Sequence, residues 1–126
     1  MPNNANLAIM ERFVTAVFAG DSDTILSLCD PDFMLEQGSG LSFAGTYAGG
    51  EGFLRFLGIF NETFDIGQME TQRIYTTQDP DNVVTEMELR STVRATGKSF
   101  DTTLLERWQF RGGKVLSVKP HYFNAM

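Results

Sequence analysis

Residues 82–95 read Asn-Val-Val-Thr-Glu-Met-Glu-Leu-Arg-Ser-Thr-Val-Arg-Ala, and their alternation decides the fold. Val83, Thr85, Met87, Leu89, Ser91 and Val93 fall on one side of an extended chain; Val84, Glu86, Glu88, Arg90, Thr92 and Arg94 fall on the other. Successive side chains of a strand point to opposite faces, so one face here suits a core and the other suits water. The flanking segments share this chemistry. Met69–Thr77, Ser99–Arg111 and Lys114–Phe123 are rich in Val, Ile, Thr and aromatic residues. They are separated by the turn formers Asp79-Pro80-Asp81, Ala95-Thr96-Gly97-Lys98 and Arg111-Gly112-Gly113. Consecutive strands joined by short turns make an antiparallel meander.

Upstream the period changes from that of strands to that of helices. Leu7, Met10, Val14, Val17 and Phe18 recur at helical spacing, with Ile9, Phe13 and Ala16 widening the stripe, so a long helix over 6–19 is predicted. Gly20 stops it, and Asp21 or Ser22 caps a short second helix carrying Ile25, Leu28 and Cys29 on one face before Asp30-Pro31. Phe33–Gln37 reads as a short strand, and residues 38–50 as a glycine-rich loop holding Phe43 and Tyr47. Residues 51–64 resume helical spacing through Phe53, Phe56, Leu57, Phe60 and Phe64. Helices gathered ahead of a run of strands indicate an α+β domain. A long twisted sheet must curl round the helical stripes, giving a cone that encloses an apolar pocket.

Composition narrows the function. A chain of 126 residues with 42% hydrophobic content makes one domain with one core. Its net charge of −6 offers no basic surface for phosphate backbones or anionic lipid, so nucleic-acid and membrane partners are not expected. Cys29 is the one cysteine and His121 the one histidine, which rules out an internal disulfide or a His/Cys zinc cluster. Met1–Gly20 lacks a basic start followed by the 7–15-residue apolar run of a secretory signal, and a cytoplasmic location is the expectation. Cofactor motifs are absent: the glycine-rich 45–52 segment lacks the Gly-Lys-Ser/Thr ending of a phosphate loop and carries Glu51 instead. No cofactor and no metal are expected.

Candidate chemistry rests on carboxylates. Parity places Leu104, Glu106, Trp108 and Phe110 on one face of their strand, so Glu106 is an acid among aromatics if that face is interior. The alternative is a Glu106 that pairs with the neighbours of Arg107 or points to solvent. Glu36 ends the first short strand and is the natural second carboxylate for a general acid–base pair; its alternative is an exposed charge at a strand end. His121 and Tyr122 are adjacent on the last strand, so only one of them can face the pocket. Phe13, Tyr47, Met87, Trp108, Val118, Tyr122 and His121 complete the candidate ligand-binding set.

The segment Ala16–Asp23 followed by Cys29-Asp30-Pro31-Asp32-Phe33, the loop Phe43–Gly49 and the closing Gly113-Lys114-Val115 resemble the NTF2-like superfamily. Within it the chain is similar to SnoaL-like proteins, which include polyketide cyclases and relatives of ketosteroid isomerase. The resemblance spans nearly the whole chain and implies an NTF2-like cone, with three N-terminal helices on a curved, mostly antiparallel sheet. It also implies roles: Glu36 falls where these enzymes keep a general-base aspartate, and Glu106 where the isomerases keep a protonated acid in the oxyanion hole. One departure is Phe13, which stands where the isomerases have a tyrosine, so a phenol would have to come from Tyr47 or Tyr122.

Two functional readings follow. The first is a cofactor-free isomerase, cyclase or lyase that abstracts a proton next to a carbonyl of a small apolar substrate. The second is a non-catalytic ligand-binding or dimerisation module. Under either, a homodimer is expected through the open sheet face, where Val84, Leu105 and Phe123 lie among charges.

Overall fold

The computed structural model describes residues 4–124 and 126. The chain runs α1 (Ala5–Ala19), α2 (Ser22–Leu28), β1 (Cys29–Gln37), β2 (Gly45–Ala48), α3 (Gly49–Thr63), β3 (Phe64–Thr76), β4 (Asn82–Val93), β5 (Ser99–Arg111) and β6 (Lys114–Tyr122). The six strands form one sheet in the order β2-β1-β6-β5-β4-β3, with β1 and β6 parallel and every other pair antiparallel. This is the α+β architecture that the alternation and the helical stripes require, with three helices on a six-stranded, mostly antiparallel open sheet.

Local chemistry sets the element ends. Asn4 caps α1 by accepting from the Asn6 amide at 2.9 Å, and Gly20 ends the helix in the left-handed region at φ 68°. Asp21 caps α2 through the Thr24 amide. Three boundaries depart from the sequence reading. The first strand begins at Cys29, where the α2 helix ends, and the glycine-rich loop contains the short strand β2 paired with β1. β3 begins at Phe64, directly after α3, because Phe64 itself takes an extended conformation and caps the helix.

The inner face of the sheet is the apolar one. Val83, Met87, Leu89, Leu104, Trp108, Phe110 and Val118 are buried against Met10 and Phe13 of α1 and Phe53, Phe56 and Phe60 of α3. Phe13 meets Phe53 at 5.0 Å between ring centroids and Trp108 edge-on at 5.5 Å. Register shifts in β3 between Ile66 and Gln68 and between Thr71 and Arg73 bend that strand, and bulges of this kind curl a sheet round what it covers. No helix among the described residues is long and apolar enough to cross a membrane.

Candidate functional site

Between the helices and the inner face of the sheet lies a cavity of about 420 Å³, a volume in the range of small-molecule sites. Phe13 and Val17 of α1, Phe53, Phe56 and Phe60 of α3, and Met87, Trp108 and Val118 of the sheet make its apolar walls. The exposed lining residues Phe18, Ala19, Gly20 and Asn61 place its mouth at the C-terminal ends of α1 and α3.

Apart from Asn61 at the mouth, its polar side chains gather on the sheet. Glu106 on β5 is directly paired with Thr85 on β4, and the Thr85 hydroxyl donates to Glu106 Oε1 at 3.2 Å while accepting from the Trp108 indole N–H at 3.2 Å. The Glu106 side chain keeps some accessible area because its carboxyl meets the cavity, yet protein surrounds it closely. Burial raises its pKa to about 7, against the opposing bonds from Thr85 and Trp108. Tyr122 on β6 also lines the cavity. Burial pushes its hydroxyl above the usual phenol range, the Glu106 charge adds to the rise, and the Gln37 amide opposes it. Gln37 on β1 completes the polar end: it is buried, and its Oε1 has no hydrogen-bond partner among the described residues.

Three candidates from the sequence lie elsewhere. Glu36 points to the outer face, where it is exposed and sits 3.7 Å from Lys119 Nζ. Strand alternation is the reason: Phe33, Leu35 and Gln37 point inward, so their neighbour Glu36 cannot. Tyr47 is buried in the helix–sheet core away from the cavity, its hydroxyl donating to the Phe43 carbonyl at 2.9 Å and its ring under Arg55. His121 is exposed on the outer face, since Pro120 and Tyr122 take the inner positions of β6. Phe13, Met87, Trp108, Val118, Tyr122 and Glu106 do line the cavity.

Gln37 and Thr85 are polar residues of the site that lie outside the candidate set read from the sequence. For Gln37 the signal is the inward parity of Phe33 and Leu35; for Thr85 it is the position between Val83 and Met87 on the apolar face of β4. Burial lifts the Cys29 thiol to about 11, so it stays protonated and unreactive near neutrality. Among the described residues no three His, Cys, Asp or Glu side chains are grouped to hold a metal ion.

Comparison with known proteins bears on this geometry. A family model described as SnoaL-like domain matches residues 10–118. An NTF2-like protein from Burkholderia thailandensis E264 superimposes with a TM-score of 0.81 at 21% identity, covering 97% of this chain and 92% of that one. A protein from Jannaschia sp. CCS1, named as a candidate SnoaL-like polyketide cyclase, superimposes with a TM-score of 0.78 at 16% identity, covering 94% and 85%. A protein of ketosteroid isomerase-like fold from Catenulispora acidiphila DSM 44928, in complex with trimethylamine, gives 0.73 at 14% identity, covering 90% and 84%. At these identities the likeness establishes the fold. No curated protein matches the sequence.

Proposed function

From the premise that this chain belongs to the SnoaL-like domain family, we propose that it binds a small, largely apolar carbonyl compound in its cavity, where Glu106 carries a proton to and from the carbon beside the carbonyl. The observation that carries this reading is a carboxyl inside an aromatic cavity whose pKa burial raises to about 7. At neutral pH such a group is present in both forms, so one residue can serve as base and then as acid.

The ionised Glu106 carboxylate takes the proton from the carbon next to the carbonyl, and the electron pair moves onto the carbonyl oxygen. The Tyr122 hydroxyl is the donor available to that oxygen as its charge develops. Return of the proton from Glu106 to a different carbon completes an isomerisation; attack of the carbanion on a second carbonyl within the substrate, whose oxygen then takes the proton back from Glu106, is the ring closure of a cyclase. Neither step calls for a cofactor. The Thr85 hydroxyl, held by the Trp108 indole, fixes the carboxyl in place. Relatives support the assignment at the level of family: one similar structure bears the name of a SnoaL-like polyketide cyclase, and another holds trimethylamine.

The exposure of Glu36 favours a second reading, a binding module without turnover, because it leaves the cavity with one carboxylate instead of a pair. Deuterium exchange separates the two. With 2-tetralone as probe in D2O, the catalytic reading expects exchange next to the carbonyl above the buffer rate, lost in Glu106→Gln and kept in Glu36→Gln. Exchange at the buffer rate, with the probe still shifting the Trp108 indole resonance, would establish the binding module. A homodimer through the outer sheet face and residence in the cytoplasm belong to the same proposal, supported by exposed Leu105 and Phe123 and by the unpaired Cys29.

A further inference from the structure

Gln37 is 6% exposed, and among the described residues its Oε1 is the one buried side-chain oxygen or nitrogen without a hydrogen-bond partner. Buried polar atoms are nearly always paired, so an orphaned acceptor at a cavity wall points to a donor that arrives with the ligand. The topology shows where that donor would sit. The parallel register sets Met34 against Ser117 and Leu35 against Val118; extended by two residues it brings Gln37 beside Pro120, which lines the same cavity and is paired with Glu106. Gln37, Pro120, Glu106 and Thr85 therefore form one row across the inner face of the sheet. Neighbouring strands lie about 4.8 Å apart, so Gln37 and Glu106 are two such spacings from each other and flank the space above the Pro120 ring. Proline places no polar side-chain atom in that space.

Tyr122 stands two residues along β6 from Pro120, and its hydroxyl senses both groups: Glu106 strengthens its hold on the proton and the Gln37 amide weakens it. The polar end of the cavity thus presents an unmatched acceptor on one side and a donor with a carboxyl on the other. Among the described residues no Lys, Arg or His lines it. A plain ketone matches only the second half; its carbonyl oxygen, turned toward Gln37 Oε1, would set acceptor against acceptor.

We propose that Gln37 is a specificity-determining residue whose Oε1 accepts a hydrogen bond from a hydroxyl on the carbon next to the ligand's carbonyl, so that the site takes α-hydroxy ketones and their enols over the deoxy ketones. This rests on the ligand-binding reading above, and it adds a second polar contact to the one that reading needs. The carbonyl oxygen lies toward the Tyr122 hydroxyl with the neighbouring carbon beside Glu106, the hydroxyl bridges over Pro120 to Gln37, and the rest of the molecule fills the Phe and Met walls. A site built to bond a hydroxyl discriminates against the analogue that lacks it, because its own polar group is then left unpaired.

The test uses two matched probe pairs, benzoin with deoxybenzoin and 2-hydroxy-1-tetralone with 1-tetralone, titrated by calorimetry into the full chain. The wild-type protein is expected to bind the hydroxylated member of each pair about ten- to a hundredfold more tightly. Gln37→Met, which keeps the length of the side chain, removes the preference, and Gln37→Leu does the same should the methionine variant fail to fold. Equal binding within each wild-type pair overturns the role of Gln37 and leaves the proposed function standing. A preference that survives both substitutions overturns it as well, since the hydroxyl would then be read elsewhere. Failure of all four probes to bind overturns the ligand-binding reading and this inference with it.

Discussion

Glu106 makes the folded protein sensitive to pH in a direction opposite to that of most carboxylates. Its pKa rises from 4.5 to about 7 on folding, so the native state holds a proton that the unfolded chain releases. The stabilisation is complete below the unfolded pKa and is lost as pH climbs through the folded one, a span worth roughly 3 kcal/mol at 1.36 kcal/mol per unit. Glu106→Gln keeps the neutral form permanently. Thermal unfolding of the variant is expected to match the wild type near pH 4.5 and to exceed it at pH 8; equal melting at pH 8 would mean that the carboxyl is solvated. Carboxyl-carbon NMR checks the same point, with a Glu106 midpoint near 7 expected against 4.5 for an ordinary glutamate. Gln37 makes a complementary case: Gln37→Met removes an orphaned acceptor, and urea denaturation is expected to show about 1 kcal/mol of added stability. Both residues obey one rule. Parity along β5 made the position of Glu106 legible beside Trp108 and Phe110, and the same parity along β1 assigns the inner place to Gln37. Acidity makes Glu36 the candidate in the sequence, while alternation turns its side chain outward and that of Gln37 inward.

At the level of elements, turn chemistry was the most legible part of the sequence and pairing the least. Gly20 ends α1 where the helical stripe and the following Asp21 say it should, and its left-handed backbone is intolerant of a side chain. Gly20→Ala is expected to lower the unfolding free energy by about 1 kcal/mol in a denaturant titration, even though a methyl group there meets no neighbour within 4 Å. β2 was hidden for a different reason: Gly45-Thr46-Tyr47-Ala48 has a single buried position and becomes a strand only because β1 offers it a ladder. The early start of β3 was equally hidden, since no turn former separates Phe64 from α3 and the helical stripe runs straight into it. Pairing partners distant in sequence thus override local preference, and no local pattern records them.

For the whole molecule, the cone follows from amphipathic helices meeting a twisted sheet, which is why the architecture was readable from periodicity while the contents of its cavity were not. The outer face remains mixed, with Leu105 at 41% exposure among charged neighbours. Light scattering is expected to give twice the 14.1 kDa of one chain at micromolar concentration, and Leu105→Lys to return it to the single mass. A single mass for the unaltered protein would remove the dimer from the proposal. The chain has a single tryptophan, and that residue forms a wall of the cavity with its indole N–H tied to Thr85 and through it to Glu106. Its fluorescence therefore comes from one known place. Emission colour and yield will report, without any label, when the carboxylate loses its proton and when a guest displaces water from beside the ring, which makes the protein its own sensor for finding what it binds.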